Sequence, residues 1–84
     1  MNKKLTSVHF INNQTGWSIK NDITIIHTLD GGETWEEQIT IFRDILESVH
    51  FVDTQNGWVV GRYGTILHTY NGGKNWERQE IYLQ

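Results

Sequence analysis

The phrase TLDGGETW, residues 28–35, decides how this chain folds, because it returns as TYNGGKNW at residues 69–76. Each copy has a threonine, an aspartate or its amide two positions later, paired glycines and a closing tryptophan. Such residues build tight turns, since glycine reaches positive φ and Asp or Asn hydrogen-bonds nearby backbone N–H groups. The sequence therefore predicts one turn that is used twice.

The repetition extends over almost the whole chain. Shifted by 41 positions, the segment that begins at Leu5 aligns without a gap with the segment that begins at Leu46. A period of about 40–45 residues with four strands per unit is typical of propeller blades. We expect a single module, residues 1–84, with one blade at 5–43 and a second at 46–84. The identical pairs include Ser7/Ser48, Val8/Val49, His9/His50, Phe10/Phe51, Gly16/Gly57, Trp17/Trp58, His27/His68, Gly31/Gly72, Gly32/Gly73 and Trp35/Trp76.

Each unit has the pattern of four short strands. Runs rich in β-branched and aromatic residues are bounded by Asn, Asp and Gly, and no window sustains a helical period. The first strand is expected at 7–11 and 48–52, and the third, at 24–28 and 65–69, is apolar on both faces. The fourth, beginning at Trp35 and Trp76, is charged, as suits an outermost strand next to water. The predicted fold class is all-β, with two four-stranded antiparallel β-propeller blades.

Composition excludes several functions. The chain has 84 residues, 37% of them hydrophobic and 20% charged, which favours one small soluble domain. A net charge of −3 gives no electrostatic support for nucleic-acid binding, and the absence of cysteine excludes disulfides and thiolate metal sites. No segment has the length of a membrane span or the apolar core of a signal peptide. We therefore expect no nucleic-acid or membrane partner, and the compartment stays open.

The glycine-rich phrase resembles the Asp-box (BNR) motif of sialidase-like propellers, S/T-x-D-x-G-x-x-W. The first copy supplies Thr28, Asp30, Gly32 and Trp35, and the second supplies Thr69, Asn71, Gly73 and Trp76. Asn71 stands where the motif has aspartate, so the second turn is expected to keep its shape with a weaker side-chain cap.

The longer phrase from GWVVG, residues 57–61, to Trp76 resembles the repeat of the Ycf48/Hcf136 photosystem II assembly factors. That resemblance implies four-stranded blades, a propeller that has seven blades in the family, and a non-enzymatic role. In the first repeat Lys20 and Ile23 replace the glycines equivalent to Gly61 and Gly64, so this hairpin is expected to turn on Asn21 and Asp22.

Two blades leave a propeller unfinished, because a closed ring needs at least four. An isolated pair has one open apolar face at each end, and repetition makes those faces complementary. Head-to-tail association of copies is therefore expected, with three chains giving six blades and four chains giving eight. The alternative is a truncated or engineered fragment of a larger Ycf48-like propeller.

No constellation for catalysis or cofactor binding is visible. The three arginines, Arg43, Arg62 and Arg78, do not recur between the repeats, and nucleophile and phosphate-binding motifs are absent. His9 and His50 recur on the strand that lines a propeller channel, where a circle of imidazoles could bind a metal ion. The alternative is that they belong to the blade pattern, and no metal site is assigned. The tryptophans are expected to pack within or between blades.

Strand alternation places the Asp-box turns at one rim of the blades. The other rim carries a hairpin of each repeat and the link between blades, and its residues differ between repeats. A loop that escapes the repeat pattern is free to serve a partner, although a merely solvated rim is the alternative. The expected function is a scaffold or protein-binding module, and the alternative is a lectin-like module that binds a glycan. The candidate partner-binding residues are Lys20, Asn21, Asp22, Arg43, Arg62 and Tyr63.

Overall fold

Two separate antiparallel sheets make up the computed structural model, which describes residues 5–38 and 44–79. The first sheet has the order β1-β2-β3-β4 and the second β5-β6-β7-β8, which confirms the predicted all-β class and the four strands per unit. Within these residues, no helix is long and apolar enough to cross a membrane. The strands are β1 (Leu5–Phe10), β2 (Gly16–Lys20), β3 (Thr24–Thr28), β4 (Glu36–Gln38), β5 (Leu46–Phe51), β6 (Gly57–Gly61), β7 (Ile66–Thr69) and β8 (Glu77–Arg78).

The first strand of each blade, β1 or β5, ends one residue earlier than predicted. The N–H of Ile11 donates to the carbonyl of Thr15, and the N–H of Val52 donates to that of Asn56, so both residues belong to turns. Asn12 stabilises the first turn, because its Oδ1 accepts the N–H groups of residues 14 and 15 at 2.8 Å. This is the local Asx hydrogen bonding that makes Asn and Asp favourable in turns.

The hydrophobic core lies between the two sheets, and we call this interface the seam. Trp17 of β2 lies parallel to Phe51 of β5 with ring centroids 3.5 Å apart, and Trp76 meets the Phe51 ring edge-on at 5.9 Å. Because all three side chains are almost fully buried, the seam holds the two blades together. The remaining buried apolar residues of the seam are Ile19, Ile25, Leu46, Val49, Val59 and Leu67.

The β2–β3 hairpin turns on Asn21 and Asp22, as predicted. Their φ angles are 56° and 69°, in the left-handed region that Asn and Asp tolerate better than most residues. In the β6–β7 hairpin the left-handed pair is Tyr63 and Gly64, with φ of 61° and 79°. The turn is therefore displaced by one position relative to the first repeat, because Gly64 replaces Ile23 and accepts positive φ freely.

Candidate functional site

The first Asp-box turn is held by its own side chains. Asp30 accepts the hydroxyl of Thr28 at 2.8 Å, and the backbone N–H and hydroxyl of Thr34 at 2.9 and 2.6 Å. These hydrogen bonds, led by the Thr34 hydroxyl, lower the pKa of Asp30 to about 2. Trp35 closes the turn, since its Nε1 donates to the carbonyl of Gly32 at 2.9 Å. The contacts of Asp30 are local, and they support the predicted structural role.

The second turn keeps this geometry with amides. Asn71 Oδ1 accepts the Thr69 hydroxyl at 2.9 Å and the N–H of Asn75 at 3.0 Å, and its Nδ2 donates to Asn75 Oδ1 at 2.9 Å. Asn75 stands where the first repeat has Thr34, so the change from acid to amide is matched by a change from hydroxyl donor to amide acceptor. The expected weaker cap is therefore compensated by a second substitution.

The first and third turns of each blade meet at one rim, as strand alternation predicts. The N–H of Gly31 donates to the carbonyl of Gln14 at 3.0 Å, and the N–H of Gly72 donates to that of Gln55 at 2.9 Å. We call this edge the box rim, and it comprises residues 11–15, 29–35, 52–56 and 70–76.

The opposite edge, the link rim, comprises the two hairpins, residues 20–24 and 61–65, and the link residues Asp44 and Ile45. The N–H of Leu46 donates to the carbonyl of Asp22 at 2.6 Å, and the N–H of Arg62 donates to that of Ile45 at 3.0 Å. The structure thus brings both predicted hairpins against the start of the second blade. Arg43, which was also predicted to bind a partner, lies outside the described residues.

A surface pocket of about 470 Å³ opens on the link rim between Asp44, Arg62, Tyr63 and Arg78. Asp44 accepts the Thr65 hydroxyl at 2.5 Å and pairs with Arg78 at 2.8 Å, and both hydrogen bonds lower its pKa, that of Thr65 most. Tyr63 is 98% exposed, so its ring is the most accessible group of the pocket.

Two of the predicted rim cations are held by carboxylates. Arg62 Nε lies 3.2 Å from Glu47 Oε2 on the link rim. Lys20 points elsewhere, because its ammonium pairs with Glu37 of β4 and its side chain is only 16% exposed. Lys20 therefore lies on the outer face of the first blade, next to Ile26, and not at the tip of the rim.

The two recurrent histidines of the innermost strands lie side by side, with ring centroids of His9 and His50 4.7 Å apart. Nε2 of His9 is 2.8 Å from the carbonyl oxygen of Phe51, so it carries the proton and donates across the seam. This position makes His9 a connector between blades, which is a structural use of the repeated imidazole. In residues 5–38 and 44–79, no group of three or more His, Asp or Glu side chains could hold a metal ion.

The buried strands place the other histidine pair against tryptophan. His27 stacks on Trp17 at 4.9 Å and His68 on Trp58 at 4.6 Å, with nearly parallel rings. Burial lowers the pKa of His27, and the nearby Glu36 carboxylate partly opposes that change. Both repeats therefore use the same tryptophan–histidine stack within one sheet.

Identical positions of the two repeats differ in what covers them, as expected for a pair of blades with one open apolar face at each end. Phe51 is 1% exposed in the seam, whereas its counterpart Phe10 is 38% exposed; for Val49 and Val8 the values are 4% and 57%. The outer surface of the first blade thus repeats four of the six side chains that the second blade buries in the seam, with Ile26 for Leu67 and Ser18 for Val59. We call it the open face of the first blade, formed by Leu5, Val8, Phe10, Ile26 and Trp35.

The outer surface of the second blade shows the reverse relation. Val60 is 41% exposed, and its counterpart Ile19 is fully buried on the other side of the seam. The open face of the second blade consists of Val52, Trp58, Val60, Ile66 and His68. Of their counterparts, Trp17, Ile19 and Ile25 are buried in the seam, Ile11 packs against it, and His27 stacks on Trp17. Each open face therefore carries counterparts of the side chains that form one half of the seam.

Four-stranded blades stacked face to face and closed by Asp-box turns define this chain as a segment of a β-propeller. Residues 1–84 match the family described as photosynthesis system II assembly factor YCF48, and the chain belongs to that family. No curated protein matches it.

Solved YCF48 structures share this arrangement. YCF48 bound to a D1 peptide is 30% identical, with a TM-score of 0.82 over 95% of this chain and 27% of its own. YCF48 from Cyanidioschyzon merolae is also 30% identical, with a TM-score of 0.77 over 95% of this chain and 24% of its own. The chain thus spans about a quarter of the length of these structures.

Proposed function

We propose that this chain is a non-enzymatic building block that associates head-to-tail with its own copies into a closed β-propeller. The completed ring acts as a scaffold that binds a protein partner at its link rim. Three copies give six blades and four give eight, so both rings lie within the usual propeller range.

The relation between the open faces carries this proposal. Phe10 and Val8 on one face and Val60 on the other are large apolar side chains with substantial exposure, and their counterparts are buried in the seam. Fully burying such a side chain stabilises by about 1.5–3 kcal/mol, so completing the burial of a half-exposed one contributes about 1 kcal/mol. Several such side chains on each face give association a substantial driving force.

The geometry of the contact is heterologous, since the open face of the first blade meets that of the second blade and never its own copy. Heterologous contacts produce closed rings when the rotation per subunit divides a full turn, and open chains otherwise. In a propeller the wedge shape of the blades supplies that rotation. A discrete oligomer is therefore the expected product.

A protein partner is supported by the family and by the link rim. A YCF48 structure holds a D1 peptide, which makes a peptide segment the first ligand to try. Tyr63 and Arg62 offer an exposed ring and a guanidinium beside the link-rim pocket. Aromatic and arginine side chains are enriched where proteins bind one another.

A second source of the missing blades is a longer polypeptide, and the share of the YCF48 structures that this chain spans favours it. In that case the same open faces pack against covalently linked neighbours. The purified 84-residue chain would then remain monomeric or form a ladder of sizes.

Native mass spectrometry combined with light scattering tests the assembly. A single species of three or four chains is expected, and Val8→Asp should shift it to monomer because it places a carboxylate on the open face of the first blade. Ile23→Asp is the control, since it also replaces a half-exposed β-branched residue by a carboxylate, but in the link-rim hairpin and not among the residues that define either open face. A monomer, or an open ladder, for the unmodified chain would refute self-assembly.

Titration of the assembled chain with a D1 peptide tests the partner-binding role. Arg62→Ala should weaken binding, whereas Lys74→Ala, which removes an exposed cation from the box rim, should leave it unchanged. A parallel titration with simple sugars separates the lectin-like alternative. Sugar binding without peptide binding would refute the protein-scaffold proposal.

A further inference from the structure

One backbone carbonyl in the seam receives two side-chain hydrogen bonds from the opposite blade. The oxygen of Gly72, in the second Asp-box turn, accepts Nε1 of Trp17 at 3.0 Å and Nε2 of Gln38 at 3.0 Å. A carbonyl oxygen has two lone pairs, so this pair of donors saturates it. Trp17 and Gln38 thus form a clamp that fixes the box turn of one blade to β2 and β4 of the preceding blade.

The paired glycines of the box allow this close approach. A Cβ on Gly73 would collide with the Gln38 side-chain amide. Glycine at this position therefore does more than permit a turn, because it leaves room for the amide of the neighbouring blade. The Asp box thereby contributes to blade-to-blade contact as well as to its own hairpin.

The open face of the second blade carries the counterpart of the clamp. Trp58 and Gln79 stand 41 positions after Trp17 and Gln38. Trp58 is already oriented like Trp17, because it lies within 6° of parallel to His68 just as Trp17 lies within 11° of parallel to His27. Gln79 differs, since its Nε2 lies 3.4 Å from Nδ1 of His68 where no further blade is present.

The first blade carries the matching carbonyl. Gly31 and Gly32 have φ angles of 75° and 99°, and Gly72 and Gly73 have 74° and 95°, so the two box turns share one backbone shape. The space beside Gly32 is open: a Cβ there would meet only Trp35 and Phe10, at 3.6 Å or more. The position that Gln38 fills beside Gly73 is therefore available beside Gly32.

We propose that Trp58 and Gln79 of one copy clamp the carbonyl of Gly31 in a second copy, and that Gln79 leaves His68 to do so. This inference rests on the proposed head-to-tail association and identifies the contact that orients it. The occupant is a second copy because this chain's own first blade has the turn shape that the clamp already holds inside the chain. Apolar burial supplies attraction, and the clamp fixes which turn meets which strands.

The test compares two variants of the intermolecular clamp with two of the internal one. Trp58→Phe keeps an aromatic ring and removes the indole N–H, and Gln79→Met keeps a side chain of similar length and removes the amide N–H donors. Each should raise the chain concentration needed for half-assembly, measured by sedimentation equilibrium, roughly tenfold, because a buried carbonyl loses a partner. Trp17→Phe and Gln38→Met should lower the thermal midpoint of the monomer and change assembly less.

A second readout does not depend on variants. In ¹⁵N NMR spectra of the unmodified chain, the Trp58 indole N–H should become protected from hydrogen exchange when copies assemble. Assembly at the unmodified concentration by both clamp variants, or an unprotected Trp58 indole in the ring, would overturn the clamp and leave head-to-tail association standing. A chain that stays monomeric at every concentration would overturn both proposals.

Discussion

Truncation of Phe51 and of its repeat counterpart Phe10 should have unequal effects on the monomer. Phe51 is 1% exposed and stacks on Trp17 at 3.5 Å, so Phe51→Ala leaves a cavity in the centre of the seam. Phe10 is 38% exposed and touches Trp35 edge-on at 6.0 Å, and water can fill the space that its removal leaves. The same substitution at equivalent positions thus separates a covered face from an open one.

The two costs can be estimated from burial. A buried Phe→Ala change costs about 3–5 kcal/mol, and a domain of this size is stable by roughly 4–12 kcal/mol, so Phe51→Ala should remove much of the stability. Phe10→Ala forfeits only part of the transfer free energy and creates no closed cavity, which gives about 1–2 kcal/mol.

Urea unfolding of the monomer, followed by tryptophan fluorescence and far-UV circular dichroism, measures both values. The chain should be kept below the concentration at which it associates, because association adds stability that depends on concentration. In a second assay at higher concentration, Phe10→Ala should also weaken assembly, because it removes apolar area from the open face, although it costs the monomer much less stability than Phe51→Ala. Equal losses in the free energy of unfolding for the two variants in dilute solution would contradict the description of Phe51 as covered and Phe10 as open.

Four further substitutions test individual turns and the strand end beside one of them. Because the pKa of folded Asp30 is lowered from 3.8 to about 2, its ionised form contributes stability above about pH 4 that is lost as the pH falls towards 2; the urea midpoint of Asp30→Asn should therefore vary less over that range than that of the unmodified chain. Tyr63→Asn should raise the thermal midpoint, since Tyr63 has φ 61° and Asn tolerates the left-handed region at lower cost, about 0.5–1 kcal/mol less; a fall would show that the tyrosine ring stabilises the hairpin. Gly61→Ala should cost more than about 2 kcal/mol by thermal unfolding, because its Cβ would overlap the carbonyl oxygen of Ile45, whereas Gly64→Ala meets no atom within 4 Å and should cost only the strain of φ 79°, about 1 kcal/mol. Similar losses for the two glycine variants would contradict the overlap.

The repeat made the strand order and the turns predictable. One gapless alignment identifies two equivalent units, and turn residues such as Asn21 and Asp22 mark the hairpins through their tolerance of positive φ. The displaced turn at Tyr63 was not predicted, because the sequence does not say which two of three loop residues become left-handed. The conformation of a turn was therefore predictable where the backbone preferences of its own residues decide it.

The sequence predicted an open face at each end of the pair but did not identify the residues that form each face, because equivalent positions have identical letters. Trp17 and Trp58 occupy the same place in their blades, yet one is fully buried in the seam and the other lies on an open face. The clamp on the Gly72 carbonyl was missed for the same reason, since it joins residues 55 and 34 positions apart. The sequence signal for the clamp was that its Trp, its Gln and the paired glycines each recur 41 positions later.

One position at which the open face of the first blade departs from the seam is Lys20, which stands in the place of Gly61. Gly61 leaves no room for a side chain, because a Cβ there would overlap the carbonyl oxygen of Ile45, which leads into β5 of the same blade. That departure lies at the link-rim end of β2, whereas the box-rim end keeps the turn shape and the space for the clamp. Both rims join the blades, and the divergence of the link rim between the repeats fits the partner-binding role that we propose for it.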